Sequence, residues 1–126
     1  MNFDEKLPIY LQLTEIFSGK IISGQWLPGE KIDSVRELAI QYKVNPNTVQ
    51  KALMDMERGG LVFTERASGR FVTQDAKGIA QARDEKIRRV MEDFLLHLEE
   101  LGCDSDEAKD LLEKYTKEGV KKHESD

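Results

Sequence analysis

A short run of polar side chains follows an Asn-Pro pair near the middle of the chain. Asn47 and Thr48 provide an amide and a hydroxyl, and Gln50 and Lys51 add a second amide and a cation. Amides and hydroxyls form hydrogen bonds with base edges, whereas a lysine suits a phosphate. Apolar residues recur between them at helical spacing, which predicts a helix with a buried inner face and a polar outer face. Thr48 has an alternative role, because its hydroxyl could instead satisfy free N–H groups of the first turn.

Two helix starts frame this run. Ser34 and Glu37 have the spacing of a capping box. Asn45 is a strong N-cap, and Pro46 is favoured at the first helical position. The turn between the two predicted helices is about three residues long, as in a helix-turn-helix. Capping alone would explain Asn45, although its amide could also contact DNA.

One more helix precedes this motif, and a β-hairpin follows it. Pro8 starts the first helix and Gly24 ends it, while Gly69 lies in the turn between two β-prone runs. The predicted elements are a helix over 8–23, a second helix that Ser34 caps and that ends near Tyr42-Lys43, a third helix that starts at Pro46 and stops at Gly59-Gly60, and strands over 61–65 and 70–73. This order predicts an α+β winged helix-turn-helix, with the hairpin as its wing and the helix from Pro46 in the major groove of DNA.

Cationic side chains flank the predicted recognition helix. Arg36 lies in the first turn of the preceding helix, where the helix dipole disfavours a cation and a bound phosphate would reverse that penalty. The alternative is a surface arginine paired with Glu37 or Asp33. Arg66 and Arg70 flank the wing turn and could reach a minor groove or backbone, or they could belong to an ordinary solvated hairpin end.

The C-terminal part has a different character. From about Ile79 a long charged helix is predicted, which Gly102-Cys103 breaks, and Asp104 with Glu107 can cap a second helix. One stripe of the long helix is too apolar to face water, and a single following helix is too little to cover it. We therefore expect this stripe to be a dimer interface formed by Ile87, Met91, Phe94, Leu98 and Leu101. The tail from Lys121 is expected to be frayed.

Charge and composition limit the functional classes. Up to Lys77 there are ten basic and ten acidic residues, so the formal net charge of −5 lies entirely in the C-terminal part. DNA affinity must then come from a locally basic face. No membrane span, signal peptide, phosphate-binding loop or catalytic triad is recognisable. Cys103 is the only cysteine, and neither His97 nor His123 has a partner at metal-ligand spacing, so we expect a cytoplasmic protein that is not an enzyme and has no metal or cofactor.

The motifs of residues 8–73 resemble those of the GntR family of bacterial transcription regulators. The matching segments are Pro8-Ile9-Tyr10, Pro28-Gly29-Glu30-Lys31, Ser34-Val35-Arg36-Glu37-Leu38-Ala39, Asn47-Thr48-Val49 and Gly69-x-Phe71-Val72. The resemblance implies DNA contacts at Arg36, Asn45, Asn47, Thr48, Gln50 and the wing around Ser68-Gly69. The run from Val44 to Lys51 and the short C-terminal part resemble the YtrA-like subfamily, which implies a dimer joined by two C-terminal helices and often the repression of a transporter operon.

Two departures from the family pattern affect the expected contacts. Many members have arginine where this chain has Pro46 and Gln50, and the wing commonly reads Gly-Arg-Gly in place of Ala67-Ser68-Gly69. The positive charge must then come from Arg36, Lys51, Arg66 and Arg70.

The sequence as a whole predicts a winged helix-turn-helix domain over 1–76 and a helical dimerisation region over 77–126. The expected function is that of a dimeric repressor that binds a near-palindromic operator in double-stranded DNA. A winged-helix module for protein interaction, without specific DNA binding, is the alternative. Any small-molecule effector would need a pocket at the dimer interface or between the domains, because two helices enclose little volume.

Overall fold

The computed structural model describes residues 6–125, with side chains from 6 to 118. The elements are the helices α1 (Ile9–Ile22), α2 (Val35–Tyr42), α3 (Pro46–Arg58), α4 (Ala76–Glu100) and α5 (Ser105–Ser125) and the strands β1 (Val62–Glu65) and β2 (Gly69–Val72). This order confirms the predicted winged helix-turn-helix followed by helices. Contacts divide the chain into an N-terminal unit, Met1–Asp84, and a C-terminal unit, Glu85–Asp126.

The core of the N-terminal unit is built from the apolar faces of α1, α2, α3 and the hairpin. Phe17 of α1 lies at its centre, with Trp26 stacked on its ring at 5.5 Å and Tyr42 edge-on at 5.4 Å. The buried apolar residues are Leu13, Phe17, Ile21, Ile32, Leu38, Ala39, Val49, Ala52, Leu53, Met56, Val62 and Val72. Each large side chain among them contributes about 1.5–3 kcal/mol through burial. Because α3 buries one complete face here, its opposite face is left at the surface.

Local hydrogen bonds fix the two helix starts of the helix-turn-helix. The Ser34 hydroxyl accepts from the Glu37 N–H at 3.1 Å, and the Glu37 carboxylate accepts from the Ser34 N–H at 3.2 Å. The Asn45 side-chain oxygen accepts from the Asn47 N–H at 2.8 Å. Lys43 ends α2 in the left-handed conformation, with φ of 56°. The predicted capping box and N-cap are both present, and they satisfy free N–H groups at the starts of α2 and α3.

The wing includes a backbone bridge in addition to its two paired strands. β1 and β2 are antiparallel, with Val62 opposite Val72 and Thr64 opposite Arg70. On the other edge of β2, Lys31 forms a bridge with Phe71, supported by the Val72 N–H to the Glu30 carbonyl at 2.9 Å. β2 is thus paired on both edges.

Helix α4 begins three residues before its predicted start at Ile79. The Asp75 carboxylate accepts from the Gly78 N–H at 3.1 Å, and the Thr73 hydroxyl accepts from the Asp75 N–H at 3.1 Å. These bonds supply an N-terminal cap that the apolar pattern does not reveal. Ile79 then packs against the core of the N-terminal unit.

The C-terminal unit contains the predicted turn between two helices. The Asp104 carboxylate accepts from the Glu107 N–H at 2.9 Å, which confirms the predicted cap of α5. Helix α5 extends to Ser125. The side chains after Glu118 lie outside the described residues, and the frayed tail therefore stays a prediction.

Candidate nucleic-acid interface

The outer face of α3 carries the polar side chains that the sequence singles out. Asn47, Gln50 and Lys51 are exposed and Thr48 is half-buried, while the intervening Val49 is fully buried. Within the described chain, the Asn47 and Gln50 side chains form no hydrogen bond. An exposed amide without an internal partner retains its donors and acceptors for a ligand. The first turns of α3 can therefore form hydrogen bonds with base edges.

The two alternative roles at the start of α3 come out differently. The oxygen of Asn45 is used by the cap, so the capping role is present and only the amide nitrogen is left for another contact. The Thr48 hydroxyl forms no hydrogen bond with backbone N–H groups among the described residues. Contacts of either residue with DNA stay a prediction.

Lys51 contacts an aromatic ring of α1 that is not among the predicted site residues. Its Nζ lies 3.8 Å from the centroid of the Tyr10 ring in α1. A cation–π contact at an exposed site contributes about 0.5–1 kcal/mol. Together with Ile9, Asn47 and Thr48, these two residues line a surface pocket of about 360 Å³. The Pro8-Ile9-Tyr10 motif is the only sequence signal that could have drawn attention to Tyr10.

Arg36 is exposed on α2, two residues after the Ser34 cap. Its expected alternative partners are engaged elsewhere, because Glu37 accepts from the Ser34 N–H and Asp33 accepts from the Gln41 amide at 2.9 Å. Arg36 forms no ion pair with any residue that the structure describes. Its guanidinium is therefore available to a phosphate or a base.

A groove of about 700 Å³ lies between the wing, the start of α2 and the outer face of α3. It brings Gln50 together with Ser68, Gly69 and Arg70 of the wing. Lys31 also lines it, and a Cβ at Gly69 would lie 3.3 Å from the Lys31 Cε. The lysine stem runs past the wing turn, a placement that depends on the bridge to β2. Arg36 does not line this groove.

The two wing arginines occupy different environments. Arg66 is exposed in the turn. Arg70 instead points at the end of α3, where its Nε donates to the Glu57 carboxylate at 2.7 Å and its side chain is only 19% exposed. The hydrogen bonds from Thr64 and Arg70 hold the pKa of Glu57 below its usual value. Arg66 is thus the wing arginine without an ion pair among the described residues, and a DNA contact by Arg70 stays a prediction.

The wing turn uses a conformation that is unusual for alanine. Ala67 has φ of 67° and Gly69 has φ of 113°, and the Ser68 N–H donates to the Glu65 carbonyl at 3.1 Å. A side chain in the left-handed region costs about 1–2 kcal/mol. Ala67 occupies the place where the family pattern has its first wing glycine.

The predicted dimer stripe lies at the surface of the C-terminal unit. Ile87, Met91 and Leu101 are 44%, 42% and 81% exposed, and Phe94 and Leu98 are half-buried. Further exposed apolar residues there are Val90, Leu95, Leu96, Leu111, Leu112 and Tyr115. An apolar surface of this extent is typical of an interaction site.

Features of a metal site, a membrane span or a reactive cysteine were also sought in the described part of the chain. No group of three or more metal-ligating side chains occurs between residues 6 and 118. None of the described helices is both long and apolar enough to span a bilayer. Burial is the main cause that raises the pKa of the Cys103 thiol, and the nearby Glu107 carboxylate raises it further. The raised pKa disfavours the reactive thiolate.

Comparison with known proteins places these features in a family. The family model of bacterial regulatory proteins of the gntR family matches residues 9–72. The uncharacterized HTH-type transcriptional regulator YhcF of Bacillus subtilis is 38% identical over 118 residues, covering 94% of this chain and 98% of YhcF. The HTH-type transcriptional repressor YtrA of the same organism is 41% identical over 70 residues, covering 56% of this chain and 54% of YtrA.

Solved structures show the same architecture. A GntR family transcriptional regulator from Listeria monocytogenes superposes with a TM-score of 0.84 at 31% identity, covering 89% of this chain and 98% of that chain. The DNA-binding domain of AraR in complex with operator ORR3 matches with a TM-score of 0.52 at 34% identity, covering 58% of this chain and 88% of that chain. The chain therefore belongs to the GntR family, as a DNA-binding transcription regulator similar to the YtrA-like subfamily.

Proposed function

We propose that this regulator is a cytoplasmic dimeric repressor that binds a near-palindromic operator through its two winged helices. The outer face of α3 is the observation that carries the proposal. Asn47 and Gln50 are exposed and without hydrogen-bond partners among the described residues, while the inner face of the same helix is buried. This pattern suits insertion of the leading end of α3 into a major groove.

Dimerisation supplies the operator symmetry. The exposed stripe with Met91 and Leu101 supports a twofold interface between two C-terminal units. Two equivalent recognition helices would then contact two half-sites about one helical turn apart, or a multiple of that distance. An inverted repeat is the DNA sequence that matches this symmetry.

Two relatives support repression and operator binding. YtrA is by name a repressor, and the AraR domain has been solved on its operator. For this chain we further propose that the regulated genes form a transporter operon, following the resemblance to the YtrA-like subfamily. Chromatin immunoprecipitation should then recover a transporter promoter as a main peak, and enrichment only elsewhere would contradict this target.

A gel-shift titration with the chain's own upstream region tests operator binding. A duplex of the same composition with shuffled sequence is the control, and both are titrated at physiological salt, because non-specific affinity depends steeply on salt. We expect at least 1,000-fold tighter binding to the upstream region, the lower end of the range for specific recognition. Equal affinity for both duplexes would contradict a sequence-specific regulator and favour the interaction module.

A further inference from the structure

We propose that Glu57 is a positioning residue that fixes the wing against α3, so that Arg66 at the wing tip can reach DNA. The role of Arg66 in this inference rests on the proposed operator binding. The attachment of the wing to α3 by Glu57 does not depend on DNA. Glu57 lies in the last turn of α3, the helix whose first turns carry the base-reading side chains.

One carboxylate oxygen joins α3 to both strands of the wing. The Glu57 Oε1 accepts from the Thr64 hydroxyl and from the Arg70 Nε, the latter at 2.7 Å. Thr64 and Arg70 are direct cross-strand partners in the hairpin. A single side chain of α3 therefore holds β1 and β2 at one cross-strand pair. The bond from Arg70 is charge-assisted, which makes it stronger than a hydrogen bond between neutral groups.

The position of this link along the hairpin makes it suited to control the tip. At the base of the wing, Val62 and Val72 are buried in the core. The Thr64–Arg70 pair lies two positions further out, and only the Glu65–Gly69 pair separates it from the turn. Near the tip, β2 is also held on its other edge, where the Ile32 N–H donates to the Arg70 carbonyl at 2.9 Å and the flexible Lys31 stem lies beside Gly69. The Glu57 link is thus the outermost hydrogen-bonded attachment of the wing to α3 in the described chain.

The charges around Glu57 do not compete with this role. Arg70, from β2, is the charged group whose field acts on its carboxylate. Asp55 and Arg58, its charged neighbours on α3, form an ion pair with each other. The Glu57 side chain is 30% exposed, so water is partly excluded from the link. The lower local dielectric strengthens it relative to a fully exposed ion pair.

The first test measures the mobility of the wing in the full-length protein without DNA. Glu57→Ala should lower the amide order parameters of residues 66–69 from about 0.85 toward the flexible range below about 0.6. Glu57→Gln keeps an acceptor oxygen and should lower them less. Glu65→Ala, which removes an exposed glutamate next to the wing turn, is the matched control and should change nothing. Unchanged order parameters in Glu57→Ala would overturn the proposal.

The second test measures coupling between Glu57 and the wing tip in operator binding. Arg66→Ala should weaken binding by the wild-type background about 5-fold or more, as a lost groove contact does. In the Glu57→Ala background the same change should have almost no effect, because the tip is already displaced. A purely structural role of Glu57 gives independent, additive losses. Additive losses, or no effect of Arg66→Ala in the wild type, would overturn the proposal.

A further variant covers the case in which Glu57→Ala does not fold. Thr64→Val removes one of the two bonds to Glu57 and conserves the side-chain shape. Thr64→Val should lower the order parameters of the wing and the coupling to Arg66, both less than Glu57→Ala does. A wing as rigid as in the wild type would again overturn the proposal. If the wild-type protein does not prefer its operator, the proposed function fails, whereas the order parameters still decide whether Glu57 holds the wing.

Discussion

The N-terminal and C-terminal units differ sharply in how much apolar surface they bury. The N-terminal unit encloses side chains from α1, α2, α3 and both strands around Phe17. In the described part of the C-terminal unit only Cys103 and Ala108 are buried, and α4 buries none of its side chains. Both units contain helices with apolar stripes, but only the first has enough elements to cover them. The difference indicates that the N-terminal unit can fold alone and that the C-terminal unit needs a second apolar surface.

Ending the chain after Asp84 should have the largest effect, because it removes the proposed interface and keeps Ile79 in the core. We expect a folded monomer by light scattering and circular dichroism. Its operator affinity should fall by about 10²–10⁴-fold, the gain that linked binding modules provide. A truncated protein that remains a dimer would place the interface in the N-terminal unit.

Substitutions in the two units should also differ in their dependence on protein concentration. Leu53→Ala in the buried face of α3 should lower the free energy of unfolding by about 2–5 kcal/mol. Met91→Ala should instead raise the dimer dissociation constant about tenfold, as loss of an interface side chain does. Urea unfolding at two protein concentrations measures the stability of both variants, and sedimentation measures their dimer dissociation constants. If sedimentation gives the same dimer dissociation constant for Met91→Ala and the wild type, this side chain does not lie in the interface.

Arg36→Ala should reduce operator affinity by about 1–3 kcal/mol with an unchanged melting temperature, since the side chain is exposed and without a partner among the described residues. Fluorescence anisotropy and a thermal melt measure the two quantities. Arg89→Ala, an exposed arginine of the C-terminal unit, controls for the loss of one positive charge. Equal losses of affinity in both variants would mean that Arg36 acts only through net charge.

Within the N-terminal unit, two neighbouring side chains of α3 should separate attraction from specificity. Lys51→Ala should weaken binding to operator and random DNA alike and reduce the salt slope by about 0.9 per lost phosphate contact, or twice that per dimer. Asn47→Ala should weaken operator binding and leave the slope nearly unchanged. The measurement is a titration at several salt concentrations. A lower slope for Asn47→Ala would show that α3 is placed wrongly in the groove.

The smallest effect is expected at the wing turn. Ala67→Gly should stabilise the protein by up to about 1 kcal/mol, because relief of the positive φ outweighs the greater chain entropy of glycine. Ala80→Gly, at an exposed position inside α4, is the matched control and should destabilise by about 0.5–1 kcal/mol. Chemical unfolding of both variants gives the comparison, and the same sign in both would contradict strain at Ala67.

Features set by residues close in sequence were predictable. The Ser34–Glu37 box, the Asn45 cap and the hairpin depend on spacings of two to five residues, and all three are present. The same holds for the cap at Asp104, whereas the cap at Asp75 was missed because no apolar pattern begins there.

Pairings between distant residues were not predictable from the pattern. Arg70 lies 13 residues from Glu57, and Lys51 meets Tyr10 from a different helix. Their charges alone allow several partners, and only the packing of α1 and the wing against α3 selects one. The left-handed conformation at Ala67 was not predictable for a different reason, since alanine gives no local signal for a positive φ.

The bridge between Lys31 and β2 also bears on self-association through strand edges. Because β2 is paired on both sides, the hairpin leaves only the outer edge of β1 as an open ladder in the described chain. That edge is four residues long and ends in the charged Glu65, and short, charged edges discourage sheet-to-sheet aggregation. The wing is therefore a poor template for added strands.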